Sequence, residues 1–265
     1  MKPFLLLILG FALSSGAVAQ KQFVLKSDFL NQPDTVLVFT PANYADGEKW
    51  PVVYLLHGWS GNYAYWNSII DCQEYSNEYE TIIVCPDGLY DSWYVDSPVP
   101  AENQFVQFFR NDLKPFIQKE YAVDAERIYI TGLSMGGHGA LSLFVQVPDY
   151  FSGVGSLSGL PDLVPWIDYY GIARVFGVQE GKENLQRIED YAVINQVKEL
   201  KLLNKPLIVS CGTEDQFYDL NLKFIEKCHE NQVRVVFIEE PGGHDSAYWS
   251  SAVEAHFGFF LGEKR

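Results

Sequence analysis

Gly132-Leu133-Ser134-Met135-Gly136 has the G-x-S-x-G form that presents a serine hydroxyl as a nucleophile. A β-rich run over 127–131 precedes it, and Gly137-His138-Gly139-Ala140-Leu141 opens a helix behind it. Strand, serine, helix is the order a sharp elbow needs. Glycines on either side remove side chains that would strike the neighbouring strand and helix, and the first N–H groups of the helix stabilise negative charge at the serine. A serine hydroxyl is a weak nucleophile, so a base and an acid that orients it must lie within hydrogen-bond reach.

Five histidines compete for the base. His57 precedes Gly58 at a strand end and shapes that loop, and His138 follows the elbow on its helix. His229 lies in a polar helix and His256 in the last helix, where surface or packing roles are the default. His244 differs: Pro241-Gly242-Gly243 places it on a flexible loop directly after the apolar run 233–238, over the carboxyl end of a sheet. The acid is expected on the loop after the run 206–211, where Glu214 and Asp215 stand. Asp215 is the chosen acid and Glu214 the alternative; a plain N-cap is the structural role open to Asp215. Asp245, beside the base, reads as a loop or helix-cap residue. The expected catalytic set is Ser134, Asp215 and His244, in that chain order. Its oxyanion hole needs two backbone donors: the N–H of Met135 and that of Trp59, in His57-Gly58-Trp59-Ser60-Gly61.

These residues require a sheet that delivers several loops to one end. Strand-like runs fall at 22–26, 35–40, 51–56, 81–85, 127–131, 153–157, 206–211 and 233–238. Helix-length segments lie at 102–120, 134–147, 190–200, 217–231 and 246–261. The first two strands read as an antiparallel entry joined by Asn31-Gln32-Pro33-Asp34, and the later apolar runs as buried parallel strands. The fold class is α/β, with a mostly parallel central sheet of about eight strands and helices on both faces. The stretch 158–205 contains no clear strand but holds Trp166, Tyr169, Tyr170 and Phe176, and reads as either a pocket wall or a packing insertion.

Hydrophobic residues make up 48% of the 265, and 34 Asp+Glu against 19 Lys+Arg give a formal charge of −15. That charge leaves no electrostatic footprint for phosphate backbones, and excludes nucleic acid and anionic membrane surfaces as partners. An uncharged partner suits this surface better than a polyanion. No cluster of His, Cys, Asp or Glu has metal-ligand spacing, and neither a metal nor an organic cofactor is expected.

Residues 1–19, with Lys2, an apolar stretch and Ala17-Val18-Ala19, read as a secretory signal peptide, leaving 20–265 as a single domain in the periplasm or outside the cell. Four cysteines, Cys72, Cys85, Cys211 and Cys228, leave disulfide pairing undecided; Cys85 and Cys211 end apolar runs and read as buried thiols.

The strings Leu55-Leu56-His57-Gly58-Trp59-Ser60-Gly61, Gly132 to Leu141, Cys211-Gly212-Thr213-Glu214-Asp215 and Pro241-Gly242-Gly243-His244-Asp245 together resemble one branch of the α/β-hydrolases. It is the "putative esterase" branch, which takes in esterase D, tributyrin esterases, mycolyltransferases and the feruloyl and acetyl-xylan esterases of carbohydrate esterase family 1. The resemblance spans the mature chain. It implies the α/β-hydrolase fold and the same five roles for Ser134, Asp215, His244, Trp59 and Met135. Ser92-Trp93-Tyr94-Val95-Asp96-Ser97-Pro98 is similar to the loop that flanks the site in that branch, so Trp93 and Tyr94 are expected beside the substrate with Trp166 and Trp249. Aromatic faces there suit a planar acyl group or a sugar ring, although the same rings serve equally well as core. The expected activity is removal of feruloyl or acetyl groups from xylan-type polysaccharides or oligosaccharides. A broad short-chain esterase or an acyltransferase is the alternative, and a non-catalytic carbohydrate-binding protein a distant one.

Overall fold

Eight strands form one sheet in the order β1-β2-β4-β3-β5-β6-β7-β8 in a computed structural model that describes residues 19–99, 102–178 and 185–264. They are β1 Ala19–Leu25, β2 Asp34–Thr40, β3 Trp50–Leu56, β4 Ile82–Pro86, β5 Val123–Gly132, β6 Gly153–Leu157, β7 Leu207–Gly212 and β8 Val236–Glu240. β2 pairs antiparallel with both β1 and β4, and every later pairing is parallel. Each expected strand is present. β5 begins earlier and β8 starts at Val236 rather than at 233, because Val233 packs in the core at the end of the preceding helix. Of the expected signal peptide, 1–18 lie outside the described residues, and Ala19 begins β1.

The helices are α1 Tyr65–Ile69, α2 Cys72–Glu78, α3 Phe105–Phe108, α4 Lys114–Glu120, α5 Met135–Gln146, α6 Ile172–Val175, α7 Gln186–Tyr191, α8 Val197–Leu203, α9 Tyr218–Glu230 and α10 Ser246–Leu261. The helix expected over 102–120 is interrupted by a π turn at Phe109–Leu113, with Pro115 opening α4. That expected over 190–200 divides into α7 and α8, which flank a short 3-10 turn. α1 and α2, five and seven residues long, were not expected; neither has room for a clear apolar period.

Alternate residues along the strands face opposite ways, and two cores result. Val52, Tyr54 and Leu56 of β3 pack with residues of α3, α4, α5, α8 and α9, while Val53 and Leu55 pack with α1, α2 and α10. Helices therefore cover both faces, as the buried apolar strands require. All four cysteines are buried free thiols. Among the described residues no helix is long and apolar enough to cross a membrane, and no group of three or more His, Cys, Asp or Glu could hold a metal ion.

Candidate active site

β5 runs into Ser134, whose backbone adopts φ 54°, ψ −118°, a conformation rare outside glycine, before α5 begins at Met135. Two neighbours permit that turn. A Cβ on Gly136 would fall 2.2 Å from the Leu56 carbonyl oxygen of β3, and one on Gly132 would fall 2.4 Å from the Gly136 carbonyl oxygen. The elbow is thus wedged against β3 with space for hydrogen atoms only, and Leu133 and Ser134 fix it further by donating to Leu56 O and Leu157 O.

Loops from β7 and β8 complete the constellation. Ser134 Oγ lies 2.9 Å from His244 Nε2, and His244 Nδ1 lies 2.9 and 3.1 Å from the two carboxylate oxygens of Asp215. The carboxylate can only accept from Nδ1–H, so Nε2 is left to accept the serine proton, the tautomer that a general base needs. Asp215 Oδ1 also accepts from the Phe217 N–H at 2.8 Å, which fixes the carboxylate with its imidazole. Of the two candidate acids it is the buried Asp215 that bonds His244, while Glu214 is exposed. Asp245 caps α10 by accepting from Tyr248 N–H at 3.0 Å.

The remaining histidines are elsewhere occupied. His57 Nδ1 bonds Gly58 O at 2.7 Å, inside its own loop. His138 Nδ1 bonds Leu160 O at 3.1 Å, and His229 is exposed. His256 lies in the core between Thr131 Oγ1 and Ser210 Oγ, each 2.8 Å away. Burial lowers all three interior imidazoles, His57 and His138 to about 4 and His256 to about 3.

At the elbow, Gly136, Gly137 and His138 donate to Leu133 O and Ser134 O, while the Met135 N–H has no acceptor in its own helix. Across the site, Gly61 N–H donates to Gly58 O and Ser60 N–H to Tyr90 O, while the Trp59 N–H makes no hydrogen bond to the described residues. Two unused peptide donors beside one serine are what an oxyanion would take up.

A cavity of about 230 Å³ opens over Ser134 and His244 and is lined mainly by Trp59, Tyr65, Trp93, Tyr170, Phe217 and Trp249. Trp93 and Trp249 lie there as expected. Tyr94 does not: both it and Trp93 are left-handed, at φ 58° and 53°, and this turns Tyr94 into the interior, where its phenol donates to His57 O at 3.0 Å. Trp166 stands behind the wall, edge-on to Phe217 with ring centroids 4.8 Å apart, and lines no part of the cavity. Tyr170 brings the stretch 158–205 to the cavity as a pocket wall, whereas Tyr65 and Phe217 were not among the expected contacts. Phe217 has a readable signal, an aromatic two residues past the acid, although its place at the N-cap of α9 gives it a purely structural reading as well; Tyr65 lies on the unexpected α1.

The sequence profile described as "Putative esterase" matches residues 27–260. The chain belongs to this esterase family. An acetyl esterase from Caldicellulosiruptor saccharolyticus is 27% identical, over 87% of this chain and 94% of the relative. An S-formylglutathione hydrolase from Rattus norvegicus is 25% identical, over 77% and 79%. Among solved structures, a ferulic acid esterase superposes with a TM-score of 0.78 at 25% identity, covering 91% of this chain and 97% of that one. A fluorophosphonate-binding serine hydrolase of Staphylococcus aureus has the same fold, at a TM-score of 0.80 and 21% identity over 93% and 99%. Ester hydrolysis is chemistry that the hydrogen-bonded series Ser134, His244 and Asp215 can perform.

Proposed function

We propose that this esterase is exported and removes feruloyl or acetyl groups from xylan-type polysaccharides or oligosaccharides through an acyl-enzyme on Ser134. His244 takes the serine proton as Oγ attacks the ester carbonyl, and the Trp59 and Met135 N–H groups receive the oxyanion. The proton passes to the leaving alcohol, and water activated by the same imidazole releases the acid. Asp215 keeps the imidazole in its working tautomer and stabilises the imidazolium.

The observation that carries the substrate reading is the aromatic wall of the cavity. At about 230 Å³ it is small for a ligand pocket, which favours a short or planar acyl group over a long chain. Trp59, Tyr90 and Tyr169 remain exposed on the same side of the fold, with Trp59 and Tyr90 in edge contact at 5.2 Å, and give the outer rim faces on which a sugar ring can stack.

Initial rates on methyl ferulate, acetylated xylan and tributyrin, with and without a sugar acceptor, test the reading. The feruloyl or acetyl-xylan ester should have the highest kcat/KM. Preference for tributyrin identifies a short-chain esterase, and acyl transfer that outpaces hydrolysis an acyltransferase. Export is tested by sequencing the N-terminus of the protein recovered outside the cytoplasm, expected to begin at Gln20.

A further inference from the structure

The loop between β4 and α3 touches the loop after β3 at two points, one on either side of Trp59. On one side Tyr94 Oη donates to the His57 carbonyl oxygen at 3.0 Å, with both residues buried; on the other Ser60 N–H donates to the Tyr90 carbonyl oxygen at 2.8 Å. Between these contacts lies the Trp59 N–H, which has no acceptor among the described residues.

Tyr94 also touches the element that supplies the second donor. A Cβ on Gly139, in the second turn of α5, would fall 2.2 Å from Tyr94 Cδ2, and one on Gly88 would fall 2.4 Å from its Cε1 and Oη. The ring therefore occupies a slot bounded by two bare backbones. Its own backbone is held there in the left-handed region, which a non-glycine residue seldom adopts, and Ser92 Oγ accepts its N–H at 3.1 Å. Phe105 closes the far side, edge-on with ring centroids 4.9 Å apart. Tyr94 is thus wedged between α5, which begins at Met135, and the loop that carries Trp59.

We propose that Tyr94 is a positioning residue of the oxyanion hole. Its phenol holds the His57 carbonyl, and so the peptide planes that follow, at the spacing from α5 that lets the Trp59 and Met135 N–H groups converge on one oxygen. Such donors work only within a few tenths of an ångström of the oxyanion, so a brace on the loop acts on the transition state far more than on the bound ester. The inference rests on Ser134 being the nucleophile, with the oxyanion formed beside it.

Tyr94→Phe keeps the ring and removes the donor. With p-nitrophenyl acetate its kcat should fall about 10- to 100-fold while KM stays within about two-fold, and inhibition by a boronic acid that forms a tetrahedral adduct should weaken in parallel. Tyr54→Phe serves as the control, because it deletes another buried phenol, whose hydrogen bond runs to Tyr150 and not to the loop. It should lose comparable thermal stability and keep its kcat. Ser92→Ala frees the Tyr94 N–H with every tyrosine in place, and should lower kcat in the same direction by less, which covers a Tyr94→Phe protein that does not fold. A wild-type kcat in folded Tyr94→Phe, or in Ser92→Ala if only that variant folds, overturns the proposal. Ser134→Ala separates the two readings: if it retains turnover, the nucleophile assignment fails first.

Discussion

Phe217 meets His244 ring to ring at 4.7 Å and 88°, two residues past the aspartate that bonds the same imidazole. Trp249 also stands perpendicular to the imidazole, at 4.9 Å and 90°, so the base is held by two aromatic rings and a carboxylate. Phe217→Ala removes one ring but leaves its backbone N–H on Asp215. It is expected to lower kcat about 10- to 100-fold through misplacement of the imidazole, with an intact fold by thermal melting. An unchanged kcat would mean that Asp215 alone orients the base.

Gly136→Ala tests the elbow. With a Cβ directed 2.2 Å from a backbone carbonyl, α5 and β3 cannot both keep their places, and stability should fall by more than about 3 kcal/mol in a urea titration. A wild-type midpoint would show that the turn is looser than described.

The elbow, the base loop and the acid loop were legible in the sequence because each combines an apolar run with glycines or a polar end, and both signals are local. Glu214 and Asp215 were harder to separate, since the distinction is burial, which depends on how the loop returns against β8. Tyr94 shows the limit most clearly. Its neighbour Trp93 reaches the cavity, but consecutive left-handed residues break the pattern from which facing is inferred, and the loop's partners lie 37 residues back at His57. Tyr65 enters the site on a five-residue helix, too short for an apolar period to announce it.

Acid should destabilise the fold well before it protonates surface carboxylates. His57 and His138 are held down to about 4 and His256 to about 3 by burial, whereas the unfolded chain takes up those protons near 6.5. Their stabilisation is complete above pH 6.5 and is lost as pH falls towards 3, at about 1.4 kcal/mol per pH unit for each group. Asp34 and Asp87, raised chiefly by burial, act in the opposite sense and reduce the slope without reversing it. Urea midpoints should therefore fall between pH 7 and pH 5, and His256→Asn should flatten that dependence. Equal slopes for the two proteins would remove His256 from the account.

Trp93 sets the inner end of the cavity, its Nε1 donating to Tyr170 O at 3.1 Å and its ring edge-on to His138 at 5.6 Å. Trp93→Ala should enlarge the acyl site, raising kcat/KM for hexanoyl relative to acetyl p-nitrophenyl esters about 10-fold and weakening methyl ferulate turnover. A parallel loss on every ester would place Trp93 outside the acyl site.

Whether Ser134 carries the acyl group is read from intact-mass and peptide analysis after reaction with a fluorophosphonate. One adduct per chain is expected, on Ser134 and absent from Ser134→Ala, with ester turnover in that variant down by at least about 10⁴-fold. An adduct on another residue, or a Ser134→Ala protein that still hydrolyses esters, would contradict it.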